Sequence, residues 1–246
     1  MQKRRLFLAL TATALVAGAA QAHDWSWGNR ERVKGSGEIV SETREPGAFD
    51  GVATSGDFKI VIRQSSSNKI EIKTDKNILP LIETKISGHT LEISVKRGYN
   101  ISPSNTPQLL VDMPQMRLVS IAGSGDVKVE PMKTGAVEMS ISGSGDLKFD
   151  SLQSERLGVS VSGSGDVSGS GKTGELKVSV AGSGDVKLRD MPADEAKVSI
   201  AGSGDVVVNA AKKLHVSVAG AGDVSYVGSP EISTSIAGSG KVRKIN

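Results

Sequence analysis

Six aspartates, Asp126, Asp146, Asp166, Asp185, Asp205 and Asp223, follow one another at steps of 20, 20, 19, 20 and 18 residues, each just after a Gly-x-Gly tripeptide. A seventh tripeptide leads to Lys241, 18 residues further on. Carboxylates at a fixed period can hold a divalent cation, supply an acid and base for sugar chemistry, or accept hydrogen bonds from turn amides. Stacked about 5 Å apart, neighbouring carboxylates repel by about 0.8 kcal/mol even in water, so something must offset the charge. Lys128, Lys148 and Lys187 stand two positions after Asp126, Asp146 and Asp185, on the same strand face. Asp166, Asp205 and Asp223 have no such neighbour and are the candidates for a Ca²⁺ site; beside that stands the plainer reading, in which every Asp accepts N–H bonds at its corner and stays solvated. The calcium-binding nonapeptide, Gly-Gly-x-Gly-x-Asp, fits poorly, because here one residue fewer precedes the carboxylate and each period carries one copy.

A second column is formed by Ser120, Ser140, Ser160, Ser179, Ser199, Ser217 and Ser235. No His or Lys recurs at a matching distance to act as a base, so nucleophilic catalysis has no support. Ser160, Ser179, Ser199 and Ser217 are instead candidates for a flat binding face. Three histidines are present, His23, His89 and His215. A copper site on a processed His23 with His89 or His215 is one reading, and ordinary surface histidines are the other. Gly171-Lys172-Thr173 imitates the end of a phosphate-binding loop, but Asp166 stands where that pattern needs glycine and no helical periodicity follows.

The elements that must position these residues are legible in the apolar pattern. Val137, Met139 and Ile141 alternate with polar residues, as do Leu176, Val178 and Val180, and Leu214, Val216 and Val218; each trio is a strand with one buried face. A shorter alternation follows each Asp, as in Val127 and Val129, or Val206 and Val208. Glycine supplies the backbone angles for the corner between them. One such unit cannot bury its own face, whereas stacked units share a core with strands about 4.8 Å apart. The expected fold is all-β: a single-stranded parallel β-helix, right-handed like most parallel crossovers, with about seven regular rungs of 18 to 20 residues.

Upstream, 38–45, 57–64, 69–74 and 90–96 read as strands and 77–86 as a short helix or a bend. Val52 to Ile60 reads as a degenerate repeat, and two prolines make 100–107 the expected internal boundary. The chain divides into a signal peptide (1–22), an arm (23–37), an N-terminal β region with irregular first rungs (38–106) and the repeat solenoid (107–246). The leader has Lys3, Arg4 and Arg5, an apolar run from Leu6 to Ala20, and Ala20-Gln21-Ala22 as a cleavage pattern. That run is shorter than the roughly 20 residues a membrane-spanning helix needs, and no later stretch approaches it. Export to the periplasm or surface of a Gram-negative-type bacterium follows. The leader carries three of the 30 basic residues and none of the 27 acidic ones, so the remainder is neutral, with both signs interleaved, and nucleic-acid binding is excluded. With no cysteine, stability must come from packing and backbone pairing.

The leader, the Ser55-Gly56-Asp57-Phe58-Lys59 strand, the Asn77-Ile78-Leu79-Pro80-Leu81-Ile82 bend with Leu91-Glu92-Ile93, and the Ser-Gly-Ser-Gly-Asp corners resemble, in content and order, the head GIN domain family of autotransporter adhesins. The resemblance covers about Glu38 to Asn246. It implies a β-helical fold, a place in the cell envelope and an adhesin role, and it brings no catalytic residues.

Together these readings point to a non-catalytic, adhesin-like or structural envelope protein without a cofactor, contacting an envelope glycan or protein surface, with self-association through the solenoid ends open to it. The alternative is a polysaccharide lyase or hydrolase on the same scaffold. Against it stand the uniformity of the aspartates and an aromatic content of 3%. Trp25 and Trp27, in the arm, read as a cap over the solenoid or as platforms for a sugar ring.

Overall fold

Alternation of apolar and polar residues leaves a strand with one face to bury, and the chain buries it by coiling. The structure, a computed structural model, describes residues 30–245; the leader, His23, Trp25 and Trp27 lie outside them. The N-terminal part comprises β1 (Glu31–Lys34), β2 (Ile39–Arg44), β3 (Gly51–Ser55), β4 (Lys59–Gln64), β5 (Lys69–Asp75), a 3-10 turn at Leu79–Leu81, β6 (Ile82–Ser87), β7 (Thr90–Val95), β8 (Tyr99–Ser102) and β9 (Gln108–Met113). The repeats follow as β10 (Leu118–Gly123), β11 (Asp126–Val129), β12 (Met132–Lys133), β13 (Ala136–Gly143), β14 (Leu147–Gly163), β15 (Val167–Gly182), β16 (Val186–Gly202), β17 (Val206–Gly220), β18 (Val224–Val227), β19 (Glu231–Gly238) and β20 (Val242–Lys244). Seven corners bound about six turns of a parallel β-solenoid, as the repeat period predicts.

On one face the strands before the corners stack in parallel and in register, so that Ile121, Ile141, Val161, Val180, Ile200 and Val218 form one inward column. On the other face Ile60, Val127, Leu147, Val167, Val186, Val206 and Val224 do the same. Every member of both columns is at most 3% exposed. β-Branched residues suit such columns because their stiff side chains pack against the rung above. Where one rung carries a larger ring the next makes room: Phe149 pairs with Gly169, whose added Cβ would lie 2.1 Å from that ring.

The corners explain the glycines. The first glycine of each tripeptide has a positive φ, +126° at Gly163 and +134° at Gly182. Its carbonyl accepts N–H bonds from the next corner, as Gly143 does from Ser164 (2.9 Å) and Gly165 (3.1 Å). A Cβ on Gly163 would sit 2.3 Å from the Gly143 oxygen, and one on Gly184, the second glycine of its corner, 2.2 Å from the Gly165 oxygen. Backbone, not side chain, is the neighbour, so relief by rotamer change is impossible.

The lower end departs from the simple coil. The rung β3–β4 pairs upward with β10 and β11, which makes Val52–Ile60 a stacked copy of the repeat, but it pairs downward with β7 and β9, which come later in the chain. Below those, β6 runs antiparallel to β7 and β5 antiparallel to β9, with β2 antiparallel to β5. The four upstream strands read from the sequence are present as β2, β4, β5 and β7; the 77–86 segment is a bend only as far as Leu81 and then a strand, turning at Gly88 (φ +59°). Residues 31–34 of the arm pair in parallel with β8 as a separate small sheet.

Asp75 ties this end together. It is fully buried, and its carboxylate accepts from the Gly37 N–H (2.7 Å), the Ser104 N–H (2.8 Å) and the Ser104 hydroxyl (2.7 Å). Burial pushes the carboxyl up, but the Ser104 hydroxyl, the Ser104 N–H and the Gly37 N–H outweigh it and hold the group below the usual carboxylate range. Gly35 lets the chain pass, since a Cβ there would lie 2.5 Å from the Asp75 Oδ2.

Two outcomes are expected. Gly163→Ala or Gly184→Ala should cost about 3 kcal/mol in urea unfolding, against roughly zero for the exposed Ser164→Ala; a cost under about 1 kcal/mol for both glycines would contradict the close stacking. Because the folded-state value of Asp75 is depressed, its stabilisation should be complete above about pH 4 and vanish as pH falls through the folded value. The stability gap between wild type and Asp75→Asn should therefore narrow in acid; a gap that does not change from pH 7 to pH 3 would refute the assignment.

Candidate functional site

The outward faces carry the chemistry. On β10, β13 to β17 and β19 the serine column is in strict register, Ser120 against Ser140, then Ser160, Ser179, Ser199, Ser217 and Ser235. Ser160 and Ser217 are exposed, Ser179 and Ser199 half-buried between neighbours, and the Ser140 hydroxyl donates to Ser120 at 3.1 Å. Two residues on lies a column of small exposed side chains, Ala122, Ser142, Ser162, Ala181, Ala201 and Ala219. Two residues before it stand Lys177, Lys197 and His215, likewise side by side. The result is a flat strip of hydroxyls and methyls, bordered on two of its rungs by Lys177 and Lys197 and lower down by Glu138. Such a strip can hydrogen-bond a repetitive surface; beside it lies an open concavity of about 420 Å³ lined by Lys197, His215, Glu195 and Lys213.

The aspartates form a ladder whose logic is set by the backbone. The carboxylate Oδ1 of Asp146 accepts the N–H of Asp166 (3.1 Å), Asp166 that of Asp185 (2.9 Å), Asp185 that of Asp205 (3.0 Å), Asp205 that of Asp223 (3.0 Å), and Asp223 that of Lys241 (2.9 Å). Each carboxylate thus satisfies an amide of the rung above. At the bottom the Asp126 N–H bonds the Phe58 carbonyl instead (2.8 Å), and Lys59 takes the place of the aspartate. The ladder of hydrogen bonds therefore runs from Asp146 up to Lys241, and below it Asp126 lies in register with Lys59. Of the three lysines read as in-strand partners, Lys187 reaches Asp185 (3.4 Å) while Lys128 reaches Asp150 (3.4 Å).

The Ca²⁺ candidates Asp166, Asp205 and Asp223 each commit one oxygen to this ladder, and the Asp185 rung separates Asp166 from the other two. Among the described residues no group of three or more His, Cys, Asp or Glu side chains could hold a metal ion. His89 lies in the β6–β7 turn and His215 on the outer face of β17, where it is exposed, so the structure does not bring the two together.

Elsewhere, exposed ion pairs join neighbouring rungs, as Lys213 joins Glu195 (2.8 Å) and Lys212 joins Asp194 (3.0 Å). Hydrogen bonding to Glu195, and then its charge, raise the Lys213 pKa. Arg63 makes a two-pronged contact with Asp112 (2.8 and 3.0 Å), which raises its pKa in the same way. Sequence reasoning passed over one concavity, a groove of about 980 Å³ below the first rung, lined by Arg30, Asp57, Lys96, Arg97, Tyr99 and Asn100 among others. The basic turn Lys96-Arg97-Gly98 is the signal that could have found it.

Stacked corners, one short strand on either side of each and a uniform outward face define a repeat β-solenoid. The chain belongs to the family described as "Putative auto-transporter adhesin, head GIN domain", whose model matches residues 48–230. Its structure is similar to that of a "putative adhesin" from Bacteroides fragilis, with 25% identity and a TM-score of 0.83 over 87% of this chain and 100% of that one. It is also similar to a "putative lipid binding protein" from Parabacteroides distasonis, at 26% identity and a TM-score of 0.74 over 88% of this chain and all of that one. An adhesin so described from Parabacteroides merdae shares the fold at 20% identity, with a TM-score of 0.69 over 88% of this chain and 100% of that one. No curated protein matches the sequence. Among the described residues no helix is long and apolar enough to cross a membrane.

If the ladder is structural, Asp185→Asn, which keeps an acceptor and removes a charge, should leave the unfolding midpoint within roughly 0.5 kcal/mol of wild type, while Asp185→Ala orphans the Asp205 N–H and should cost about 1 kcal/mol. Equal and large losses for both would instead show that the charge itself is needed.

Proposed function

We propose that this protein is an exported, non-catalytic component of the bacterial envelope that attaches to a glycan or protein surface through the serine-bearing face of its solenoid. The observation that carries this is the register of that face: identical small side chains repeat at the rung spacing from Ser120 to Ser235 with no insertion between them. A rigid, periodic strip matches a periodic partner and spreads affinity over many weak contacts, whereas catalysis needs one irregular spot. Membership of a family described as adhesins supports the same reading. Location in the periplasm or on the surface is part of the proposal and rests on the leader.

The test is co-sedimentation of the processed chain, His23 to Asn246, with peptidoglycan, outer-membrane vesicles and intact cells, with and without calcium. The lipid-binding description of the Parabacteroides distasonis relative makes the vesicles a necessary arm. Selective, saturable pelleting is expected. It should weaken about two- to fivefold with each of Ser160, Ser179, Ser199 and Ser217 changed to Glu in succession. Absence of pelleting, or turnover of an envelope polysaccharide that Asp205→Asn alone abolishes, would overturn the reading.

A further inference from the structure

A second site lies away from the serine face, at the lower end of the solenoid. The β7–β8 connection, Lys96 to Gly98, turns back on itself with Gly98 at φ +92°, and the Gly98 carbonyl accepts the Glu31 N–H at 2.8 Å, which anchors the turn to β1. Opposite it stands the Ser55-Gly56-Asp57 corner, the irregular first corner of the stack, where buried Phe58 follows in place of the second glycine. Between them is the groove of about 980 Å³, the size range in which small-molecule ligands are held.

The walls of this groove are chemically uneven. Arg30, Lys85, Lys96 and Arg97 bring four positive charges, and Asp57 and Glu83 two negative ones. Lys85 is paired with Glu83 at 3.0 Å. Arg30, Lys96 and Arg97 have no carboxylate ion-pair partner among the described residues, and Asp57 has no cationic one. Three unmatched cations in one concavity favour an anion, and the guanidinium forks of Arg30 and Arg97 suit phosphate or carboxylate oxygens. The remaining lining, Ser94, Asn100, the half-buried Tyr99 and the Asp57 carboxylate, offers donors and acceptors to hydroxyl groups and an apolar ring surface beside them.

We propose that this groove binds an anionic sugar, its phosphate or carboxylate held by Arg30, Lys96 and Arg97 and its hydroxyls read by Asp57, Ser94 and Asn100. A bare anion would make no use of Asp57 and leave most of the groove empty. A neutral sugar would leave the cations unmatched. The site does not depend on the serine face, and either can fail without the other.

Isothermal titration of the purified protein with glucose 6-phosphate, glucuronate, glucose and inorganic phosphate tests it, alongside flotation with phosphatidylcholine vesicles containing phosphatidylglycerol. Glucose 6-phosphate or glucuronate should bind saturably, with glucose and inorganic phosphate each about tenfold weaker or worse. Lys96→Ala and Arg97→Ala should each weaken the anionic sugar roughly fivefold, and more at low salt than at high salt, with thermal midpoints unchanged. Asp57→Asn should weaken the sugar but leave inorganic phosphate as it was. Four results would overturn the proposal: no saturation by either anionic sugar at about 10 mM, glucose binding as well as the anions, affinity indifferent to both cation variants, or recruitment to anionic vesicles with no affinity for the soluble sugars.

Discussion

Stacking at the corners brings one glycine carbonyl to within van der Waals contact of the glycine Cα on the next rung, and almost everything else in this molecule depends on that approach. An added methyl group would lie about 2.2 Å from a carbonyl oxygen at corner after corner, so the spacing between rungs is fixed where the chain turns. With the corner fixed, each inward column must be filled by side chains that tolerate an identical neighbour above and below, which selects Val, Ile and Leu. The same constraint aligns the outward residues into columns whether or not they profit from it. The serine strip and the aspartate ladder are both products of this alignment, but they meet different demands. The serines lie on a sheet whose amides are already paired. The aspartates stand where the chain leaves the sheet, and their carboxylates supply acceptors that the backbone of the rung below does not.

That distinction separates a repeat the fold requires from one it does not. A residue repeated because the fold needs it says little about a partner. The aspartate changes to lysine at the top of the ladder, where Lys241 has no further corner above it, and at the bottom, where a Phe58 carbonyl does the work. Its occurrence follows the hydrogen bond. The serines recur equally on rungs whose neighbours differ, and no hydrogen bond of the fold demands them beyond that between Ser120 and Ser140.

The repeat part was almost wholly legible, because a period of 18 to 20 residues with an apolar alternation inside it admits one economical packing. Register followed from the glycines, and the outward orientation of His215 from its place between Leu214 and Val216. The lower end was much less so. Single strands such as those at 39–44 and 90–95 could be read from their alternation, and Gly88-His89 is a local signal for the hairpin of 82–87 with 90–95, but no local feature says that 90–113 lies beneath 51–64. That is a long-range choice, made by which edges remain open once the stack has formed. The groove was missed for a related reason: Arg30, Asp57 and Arg97 are far apart in the chain, and only the antiparallel return of β6 and β7 and the pairing of β1 with β8 bring them to one place. The ladder was foreseen as corner hydrogen bonding, though the donor is the amide of the next aspartate, a whole turn later.

The interleaved order of the lowest rungs bears on how the molecule comes into being. A coil wound in chain order could assemble behind the point of synthesis, each turn settling on the one before. Here β3 is enclosed between β7 and β10, both supplied by later sequence, so residues 51–64 cannot reach their final surroundings until the chain has passed residue 129. The first turn is in effect a held place, and about half of the chain must be present before both of its edges are covered. A polypeptide built this way leaves an edge of its first turn uncovered for longer than a sequential coil of the same length would.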